Sequence, residues 1–397
     1  MALWVVRTPR TFRTVVLPPS WSYVARVPML SSRVIVISAP RLCGYWKRSI
    51  SEAVLPLHKE ETYNYQQEYQ PTYHLNDAYN PFFKETPQYK EEEKLQYSSF
   101  EQINHYLLDV ERLYNGTVKS FEIGHSVEGR PIRGIRISKN PGVRKPALLL
   151  DAGIHAREWV GPVVAQYAIQ QLLANASNAN LTDGLDWYIL PMLNPDGYVF
   201  SMEHPPARLW RKNKAQTFVN YCGGVDLNRN FDYVWGGPGS SDDPCSTNYR
   251  GPYPFSEPEA VAFGRFVLSI AQDLRMYLTL HSAAQAILYP WGYTNLVPPD
   301  WQDLDALAKK AEAAMSLVNG TRYHVGPTTK LVGLGAGGSD DWAKGAVGIK
   351  YVYTLELPGL FYPEKGFHPP TEALPIIARE AFEGIRVFAE HARNRRP

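Results

Sequence analysis

Apolar residues in this chain gather into short runs that alternate with stretches of helical periodicity. Ser99-Phe-Glu-Gln102 has the pattern of a capping box and predicts a helix that continues to about residue 114. Two β-type runs follow at residues 118–123 and 132–138, on either side of a turn at Glu128-Gly129. These elements make the coarse organisation of the chain readable from Leu95 onward.

The rest of the chain keeps this alternation of strands and helices. An apolar run at residues 146–152 precedes an amphipathic helix predicted from residue 160 to about 173, with Pro162 in its first turn. Later helices are predicted to start at a cap formed by Ser256-Glu-Pro-Glu259, and to cover residues 300–318 and 372–393. The pattern predicts the α/β class, with a mixed, largely parallel, twisted sheet and helices on both faces.

Three of the apolar runs end in residues that can hold a metal ion. The run at 146–152 leads to His155 and Glu158, the run at 275–280 ends in His281, and the run at 349–355 ends in Glu356. In open α/β sheets the ligand crevice lies outside the carboxyl ends of the strands. The sequence therefore predicts that these four side chains converge at one edge of the sheet.

Two histidines and one glutamate, with a fourth position open to water, are the ligand set of a hydrolytic zinc site. Each residue alone also has an ordinary interpretation, since His281 fits a hydrogen-bonded core histidine and Glu356 fits a carboxylate facing water. Four polar residues that each interrupt an apolar run favour the metal site.

From about Leu95 to the C-terminus the chain resembles the zinc metallocarboxypeptidases of the carboxypeptidase A and B type. The resemblance depends on separated motifs in the right order: His155-Ala-Arg-Glu158-Trp159, Leu193-Asn-Pro-Asp196-Gly-Tyr198, Arg208-Leu-Trp-Arg211-Lys, Val225-Asp226-Leu-Asn228-Arg229-Asn230, Leu280-His281-Ser282, Leu288-Tyr-Pro-Trp-Gly-Tyr293 and Leu355-Glu356-Leu.

This resemblance implies a zinc-dependent exopeptidase that hydrolyses the C-terminal bond of peptides and proteins. One zinc ion would be held by His155, Glu158 and His281. Glu356 would act as the general base, and Arg211 would stabilise the charge on the carbonyl oxygen. Asp226 matches the acid that orients His155 through its second ring nitrogen.

The resemblance also assigns the substrate contacts. Arg229 and Asn228 would hold the free carboxylate of the substrate, and Arg157 would contact substrate further from the scissile bond. Asp340, at the base of the pocket for the C-terminal side chain, would select Lys or Arg. The alternative is that the glycine-rich residues 335–338 shift the register, so that Asp341 or neither carboxylate reaches the pocket.

Two positions depart from the family pattern. Counting back from Glu356, a mobile lid tyrosine of the family falls at Leu334, and a tyrosine of the outer cleft is replaced by Ala283. These departures keep open a non-catalytic relative that binds peptide tails. A deacylase of N-acyl amino acids is a further alternative, disfavoured by the implied pocket for a C-terminal residue.

Length and composition agree with a secreted or vesicular globular enzyme, and the resemblance implies a monomer. The net charge of +2 gives no indication of nucleic-acid binding, and no membrane span is expected. Cys222 and Cys245 match a family disulfide, which implies an oxidising compartment, while Cys43 is left over. Four glycosylation sequons also favour a secreted glycoprotein, at Asn115, Asn175, Asn180 and Asn319.

The N-terminal part differs in composition from the remainder. Residues 1–58 form a basic segment whose first 50 residues contain no Asp or Glu, which is typical of a transit-type targeting segment or of a wrongly assigned start. Residues 59–96 are rich in Tyr, Gln, Glu and Pro and are predicted to be a disordered linker. Residues 97–397 are predicted to be the catalytic domain.

Overall fold

The computed structural model describes residues 4–8, 11–15, 95–219, 221–359 and 366–394. The chain divides into two units, Met1–Thr72 and Tyr73–Pro397. Within the first unit, β1 (Trp4–Thr8) pairs with β2 (Thr11–Val15) as an antiparallel hairpin. The rest of the predicted targeting segment, Cys43 included, and the predicted linker up to residue 94 lie outside the described residues.

The second unit is built on an eight-stranded mixed sheet with the order β3-β4-β6-β5-β7-β10-β8-β9. The four central strands β6, β5, β7 and β10 run parallel, whereas β4 and β8 pair antiparallel with the two outer members of this group. The strands are β3 Val118–His125, β4 Pro131–Ile137, β5 Ala147–Ala152, β6 Asp186–Leu190, β7 Leu274–Ser282, β8 Ala286–Tyr289, β9 His324–Pro327 and β10 Tyr351–Leu357.

Helices cover both faces of this sheet, which confirms the predicted α/β architecture. Buried residues of α1, α2, α6 and α9 share one apolar core with the sheet, and those of α5 and α8 form a second core on the opposite face. The α-helices are α1 Phe100–Leu113, α2 Val160–Ala174, α3 Ala179–Asp183, α4 Pro195–Glu203, α5 Pro258–Ile270, α6 Trp301–Asn319, α7 Thr328–Leu331, α8 Ser339–Gly345 and α9 Leu374–Arg393. Within the described part of the chain, we find no helix with the length and apolar character that crossing a bilayer requires.

Local sequence signals correctly predicted several helix ends. Ser99 caps α1, and the reciprocal hydrogen bonds with Gln102 that define a capping box are both present. Gly320 follows α6 with φ of 76°, a left-handed conformation that glycine adopts without steric cost. Leu95 is buried in the core, so the packed structure includes residues just before this first helix.

Two predicted local features are wrong. Ser256 does not cap α5, because Glu257 occupies the N-cap position and the Ser256 hydroxyl instead donates to the Glu257 carboxylate. Helix α2 is buried on most of its surface rather than amphipathic, since it lies between the sheet and α9. A helix enclosed in this way needs apolar residues on nearly every side.

Candidate metal centre and substrate cleft

Three neighbouring strands deliver the predicted metal ligands and the predicted general base to one edge of the sheet. His155 and Glu158 lie in the loop between β5 and α2, and His281 is the penultimate residue of β7. Glu356 pairs in register with His281 from the adjacent parallel strand β10. Because β5, β7 and β10 are parallel neighbours, their carboxyl ends meet at one place, as the sequence predicted.

His155, Glu158 and His281 face one another closely enough to share an ion. The Nδ1 atoms of the two histidines are 3.1 Å apart, and they lie 2.8 Å and 3.1 Å from the nearest carboxylate oxygens of Glu158. Zinc–nitrogen bonds of 2.0–2.1 Å in a tetrahedral site put ligand atoms about 3.3 Å apart. All three side chains are buried, so the residues present fit a zinc ion bound through both Nδ1 atoms and the carboxylate.

Asp226 connects His155, one of the predicted metal ligands, to Arg211. Its Oδ1 lies 3.3 Å from Nε2 of His155, and its Oδ2 accepts a hydrogen bond of 2.9 Å from Nε of Arg211. Burial opposes ionisation of this carboxyl, but the charges of Arg211 and Arg229 outweigh it and hold the pKa of Asp226 well below its usual range. A permanently charged acid at this position fixes the orientation of the His155 ring.

Glu356 lies beside the three predicted metal ligands but does not belong to the His155-Glu158-His281 cluster. Its Oε2 accepts a hydrogen bond of 3.4 Å from the backbone N–H of Ala284. Burial raises the pKa of the Glu356 carboxyl to about 7, even though the neighbouring His281 favours its charged form. A carboxyl with a pKa near neutrality can both accept and return a proton at physiological pH.

A cleft of about 340 Å³ opens over these residues. Asp226 lies behind the cleft wall, whereas every other predicted catalytic, substrate-binding or metal residue lines the cleft: His155, Arg157, Glu158, Arg211, Asn228, Arg229, His281, Asp340 and Glu356. The structure therefore brings together residues that are up to 201 positions apart in the chain.

Arg229 and Asn228 lie on one short turn on the wall of the cleft. The turn is held by Asp226, whose carboxylate accepts from the backbone N–H of Asn228 at 3.0 Å. Arg229 donates from Nη1 to the Asn228 carbonyl oxygen at 2.7 Å and from Nε to the Gly239 carbonyl oxygen at 3.1 Å. Gly337 passes so close that a Cβ would lie 2.5 Å from the carbonyl oxygen of Arg229, so this part of the glycine-rich run makes room for the turn.

The two adjacent aspartates of α8 have different surroundings. Asp340 lines the cleft, is 7% exposed, and accepts a long hydrogen bond of 3.5 Å from the hydroxyl of Thr354. Asp341 points away from the cleft and accepts hydrogen bonds of 2.9 Å from the backbone N–H groups of Gly292 and Tyr293. The glycine-rich run thus leaves Asp340, and not Asp341, facing the cavity.

Thr354 and Ser282 also line the cleft, a position that the sequence did not assign to them. Leu334 and Ala283, the two departures from the family pattern, line the cleft as well. Thr354 precedes Glu356 by two residues on one strand, and side chains two apart on a strand share a face, so this residue was predictable. Arg208 belongs to one of the family motifs, but no local signal predicts its hydrogen bond to the Phe367 carbonyl oxygen.

Cys222 and Cys245 form a disulfide, as the resemblance implied. This bond closes a loop that contains Asp226, Asn228 and Arg229. Lys212, the neighbour of Arg211 in the chain, donates from Nζ to the carbonyl oxygen of Pro244, immediately before the second cysteine. The disulfide loop therefore contains Arg229 and is hydrogen-bonded to Lys212, the chain neighbour of Arg211.

Comparisons with known proteins identify the family. The sequence profile described as zinc carboxypeptidase matches residues 103–384. Carboxypeptidase B of Astacus astacus is 39% identical over 300 residues, which cover 75% of this chain and 97% of that protein. Carboxypeptidase A2 of Mus musculus is 38% identical over 283 residues, which cover 70% of this chain and 66% of that protein.

Solved structures agree with the sequence relatives. Bovine thrombin-activatable fibrinolysis inhibitor, in complex with tick carboxypeptidase inhibitor, matches with a TM-score of 0.70 at 33% identity, over 75% of this chain and 98% of that chain. Carboxypeptidase A from Helicoverpa armigera matches with a TM-score of 0.71 at 32% identity, over 75% of this chain and 74% of that chain. The chain therefore belongs to the zinc carboxypeptidase family, the metallopeptidases that act on peptide C-termini.

Proposed function

We propose that this carboxypeptidase removes C-terminal Lys or Arg, with Glu356 as its general base. The observation that carries the proposal is a single cleft in which a His-Glu-His cluster, the Glu356 carboxylate, several guanidinium groups and the enclosed Asp340 face one cavity. Each of these groups has a separate task in hydrolysing a peptide bond next to a free carboxylate.

When bound, zinc lowers the pKa of a coordinated water toward about 7 and polarises the substrate carbonyl. Glu356 takes a proton from the attacking water and passes it to the amine that leaves. Arg229 and Asn228 bind the terminal carboxylate, because a planar guanidinium can donate to both of its oxygens. This carboxylate contact restricts the reaction to the last peptide bond of the substrate.

Arg211 stabilises the charge that develops on the carbonyl oxygen during attack. We expect Arg211→Gln to lower kcat by about 10²–10³, the usual cost of removing one such donor, with a much smaller change in KM. Steady-state kinetics on one peptide substrate, together with the zinc content of the variant, test this. A rise in KM with unchanged kcat would instead assign Arg211 to ground-state binding.

Asp340 provides the selectivity for basic side chains. Within the described residues Asp340 has a long hydrogen bond from Thr354 but no ion pair. A buried carboxylate without a counter-charge is costly, so the pocket favours a ligand that brings a positive charge. Leu288 and Val332 also line the cleft and supply apolar surface for the methylene groups of Lys or Arg.

We expect Asp340→Asn to lower kcat/KM for peptides ending in Arg by about 30-fold or more, since removing one partner of a buried charge pair costs about 2–5 kcal/mol. The kcat/KM for a matched peptide ending in Phe should stay constant or rise. Asp242→Asn is the control, because Asp242 has an 86% exposed side chain and does not line the cleft. Equal losses on both peptides would contradict the specificity assignment.

One assay separates the remaining alternatives. Zinc-loaded protein is given a peptide ending in Arg, a peptide ending in Phe and an N-acyl amino acid. Cleavage of the first peptide eliminates the non-catalytic alternative raised by Leu334 and Ala283. Preferential cleavage of the N-acyl amino acid would identify a deacylase and overturn the proposal.

A secreted, monomeric glycoprotein is part of the same proposal. The Cys222–Cys245 disulfide supports secretion, since such bonds persist in oxidising compartments. The sequon residues Asn115, Asn180 and Asn319 are exposed, which leaves room for glycans on the folded protein.

A further inference from the structure

Two acidic residues at the start of α5 take no part in the hydrolysis proposed above. Glu257 occupies the N-cap position of this helix, and Glu259 lies in its first turn. Glu257 is 4% exposed and Glu259 is 2% exposed. Acidic side chains are almost never buried to this extent unless they are paired with a positive charge, so the burial of these two needs an explanation.

Both carboxylates accept from the same amide group. Nδ2 of Asn213 donates to Oε2 of Glu257 at 2.6 Å and to Oε2 of Glu259 at 3.2 Å. The other oxygen of Glu257 accepts from the hydroxyl of Ser256 at 2.7 Å. The other oxygen of Glu259 accepts from the backbone N–H of Val127 at 3.0 Å. The two carboxyl groups are therefore close neighbours, and the donors of these four bonds are all uncharged.

No positive charge balances the two glutamates. Within the described part of the chain, neither forms an ion pair with a Lys, Arg or His side chain. Among the same residues, the titratable groups that face them are the two carboxyls themselves and Tyr249, which lies near Glu257. Burial, together with the charge of Glu257, raises the pKa of the Glu259 carboxyl to about 7. Glu259 is therefore the one that keeps its proton below neutral pH.

Asn213 connects the two glutamates to Arg211. It follows Arg211 by two residues and is fully buried. Its backbone N–H donates to the carbonyl oxygen of Val225 at 3.0 Å, and its Oδ1 accepts from the backbone N–H of Val225 at 2.8 Å. The amide that both glutamates hold therefore fixes the segment of Arg211 against the residue that precedes Asp226.

Glu257 also holds the segment of Arg229. Its backbone N–H donates to Oδ1 of Asn230 at 3.1 Å, and Asn230 directly follows Arg229 in the chain. Nδ2 of Asn230 donates to the hydroxyl of Ser256 at 2.9 Å, and that hydroxyl donates in turn to the Glu257 carboxylate. Glu257 is thus bonded to both segments that carry the proposed catalytic and carboxylate-binding arginines.

We propose that Glu257 and Glu259 are positioning residues for Arg211 and Arg229, and that they hold both arginines in place while Glu259 keeps its proton. The proposal rests on the roles proposed above for the two arginines. Neither glutamate lines the cleft, so both act through the arginines. Ionisation of Glu259 places two like charges on one amide, that of Asn213, and the repulsion is relieved when the carboxylates move apart. The two arginine segments then lose their common anchor, and the terminal carboxylate of the substrate binds less tightly.

The test uses 5-guanidinopentanoic acid and its primary amide as competitive inhibitors. They differ only in the carboxylate that Arg229 is proposed to bind, and neither changes its charge between pH 6 and pH 8.5. The inhibition constant of the amide divided by that of the acid therefore measures this contact. For the zinc-loaded enzyme we expect the ratio to fall about five- to tenfold from pH 6 to pH 8.5, at the low end of the usual coupling between two sites.

Glu259→Gln has a side chain of nearly the same size that cannot ionise. In this variant the ratio should stay within about twofold over the same pH range. Glu356 titrates in this range in both proteins, so its contribution cancels when the two pH profiles are compared. Glu203→Gln, the same change at an exposed residue outside the cleft, is the matched control and should follow the unaltered enzyme.

Glu257→Gln tests the anchor itself. Both oxygens of Glu257 accept hydrogen bonds, so the NH₂ group of glutamine leaves one donor facing another donor. We expect a lower ratio of inhibition constants at every pH and a kcat about tenfold lower on a peptide ending in Arg, because both arginines are affected. Zinc content should stay at one ion per chain, since neither glutamate belongs to the His-Glu-His cluster.

A stability measurement tests the protonation of Glu259 independently of binding. Because the folded state holds this proton more tightly than the unfolded chain, the unaltered protein loses stability as the pH rises from about 4.5 to about 7, and Glu259→Gln lacks this loss. In urea titrations, the unfolding equilibrium constant of the unaltered protein relative to that of Glu259→Gln should rise on the order of 50-fold between pH 5 and pH 8.

Each outcome decides between the two proposals. A ratio of inhibition constants that stays constant from pH 6 to pH 8.5 in the unaltered enzyme overturns this inference, whether or not the variants fold. The same pH dependence in Glu259→Gln as in the unaltered enzyme overturns it as well. If the unaltered enzyme binds the acid and the amide equally well at pH 6, the carboxylate-binding role of Arg229 fails instead.

Discussion

The variant Glu356→Gln is expected to lose about 10²–10⁴ in kcat, the usual contribution of a positioned general acid–base group. Glutamine has nearly the same size and still accepts the hydrogen bond from the Ala284 backbone, so the local structure should be retained. It cannot take up a proton from the attacking water. Single-turnover and steady-state kinetics on a peptide ending in Arg measure the loss directly.

Glu356→Gln should leave the other properties of the site unchanged. Glu356 is not among the three side chains that converge at the metal position, so the variant should bind one zinc per chain. Glu372→Gln, the same change at an exposed residue outside the cleft, is the control and should retain full turnover. Normal turnover by Glu356→Gln would exclude Glu356 as the general base. Another group would then have to activate the attacking water.

The sheet and the convergence of His155, Glu158 and His281 could be predicted because their signals are local. His281 and Glu356 each end an apolar run, and a polar residue at that position is visible in the sequence without knowledge of the fold. Because parallel strands share one carboxyl edge, His281 and Glu356 were then predicted to lie close to His155. No long-range contact had to be known to predict this convergence.

The supporting contacts could not be predicted, because they depend on the packing of loops. The hydrogen bonds of Arg208 to the carbonyl oxygens of Arg157 and Phe367 span 51 and 159 residues. A backbone carbonyl that accepts such a bond leaves no signal in the sequence. The same limit applies to Asp226, whose link to the backbone of Asn228 depends on how one turn is folded.

The choice between Asp340 and Asp341 shows a third kind of limit. Both are acidic and adjacent, so composition cannot separate them, and the glycine residues before them allow several registers. The structure distinguishes the two aspartates by hydrogen bonding, since the backbone N–H groups of Gly292 and Tyr293 donate to the Asp341 carboxylate. The backbone donors that bind Asp341 come from a loop 48 or 49 residues away, and their position follows from the completed sheet.

Removing a metal ligand is expected to have the second largest effect. Asparagine at position 281 is close to histidine in size, but it does not belong to the ordinary ligand set of zinc. His281→Asn leaves only His155 and Glu158 of the cluster, and the affinity for zinc should fall by more than the 10–100-fold that is usual when a residue supporting a ligand is changed. Turnover should fall with the zinc affinity, because zinc would no longer activate the water or polarise the substrate carbonyl.

Zinc content after dialysis and competition with a chelator measure this loss, and Asp226→Asn provides the graded comparison. Asp226 contacts Nε2 of His155, the ring nitrogen that faces away from the cluster, and is not itself one of the three clustered side chains. Asp226→Asn should therefore lose only about 10–100-fold in zinc affinity. Excess zinc should then restore much of the activity of Asp226→Asn and little of that of His281→Asn. If His281→Asn kept one tightly bound zinc per chain, His281 would not be a ligand, and the ion would have to be held by a different set of side chains.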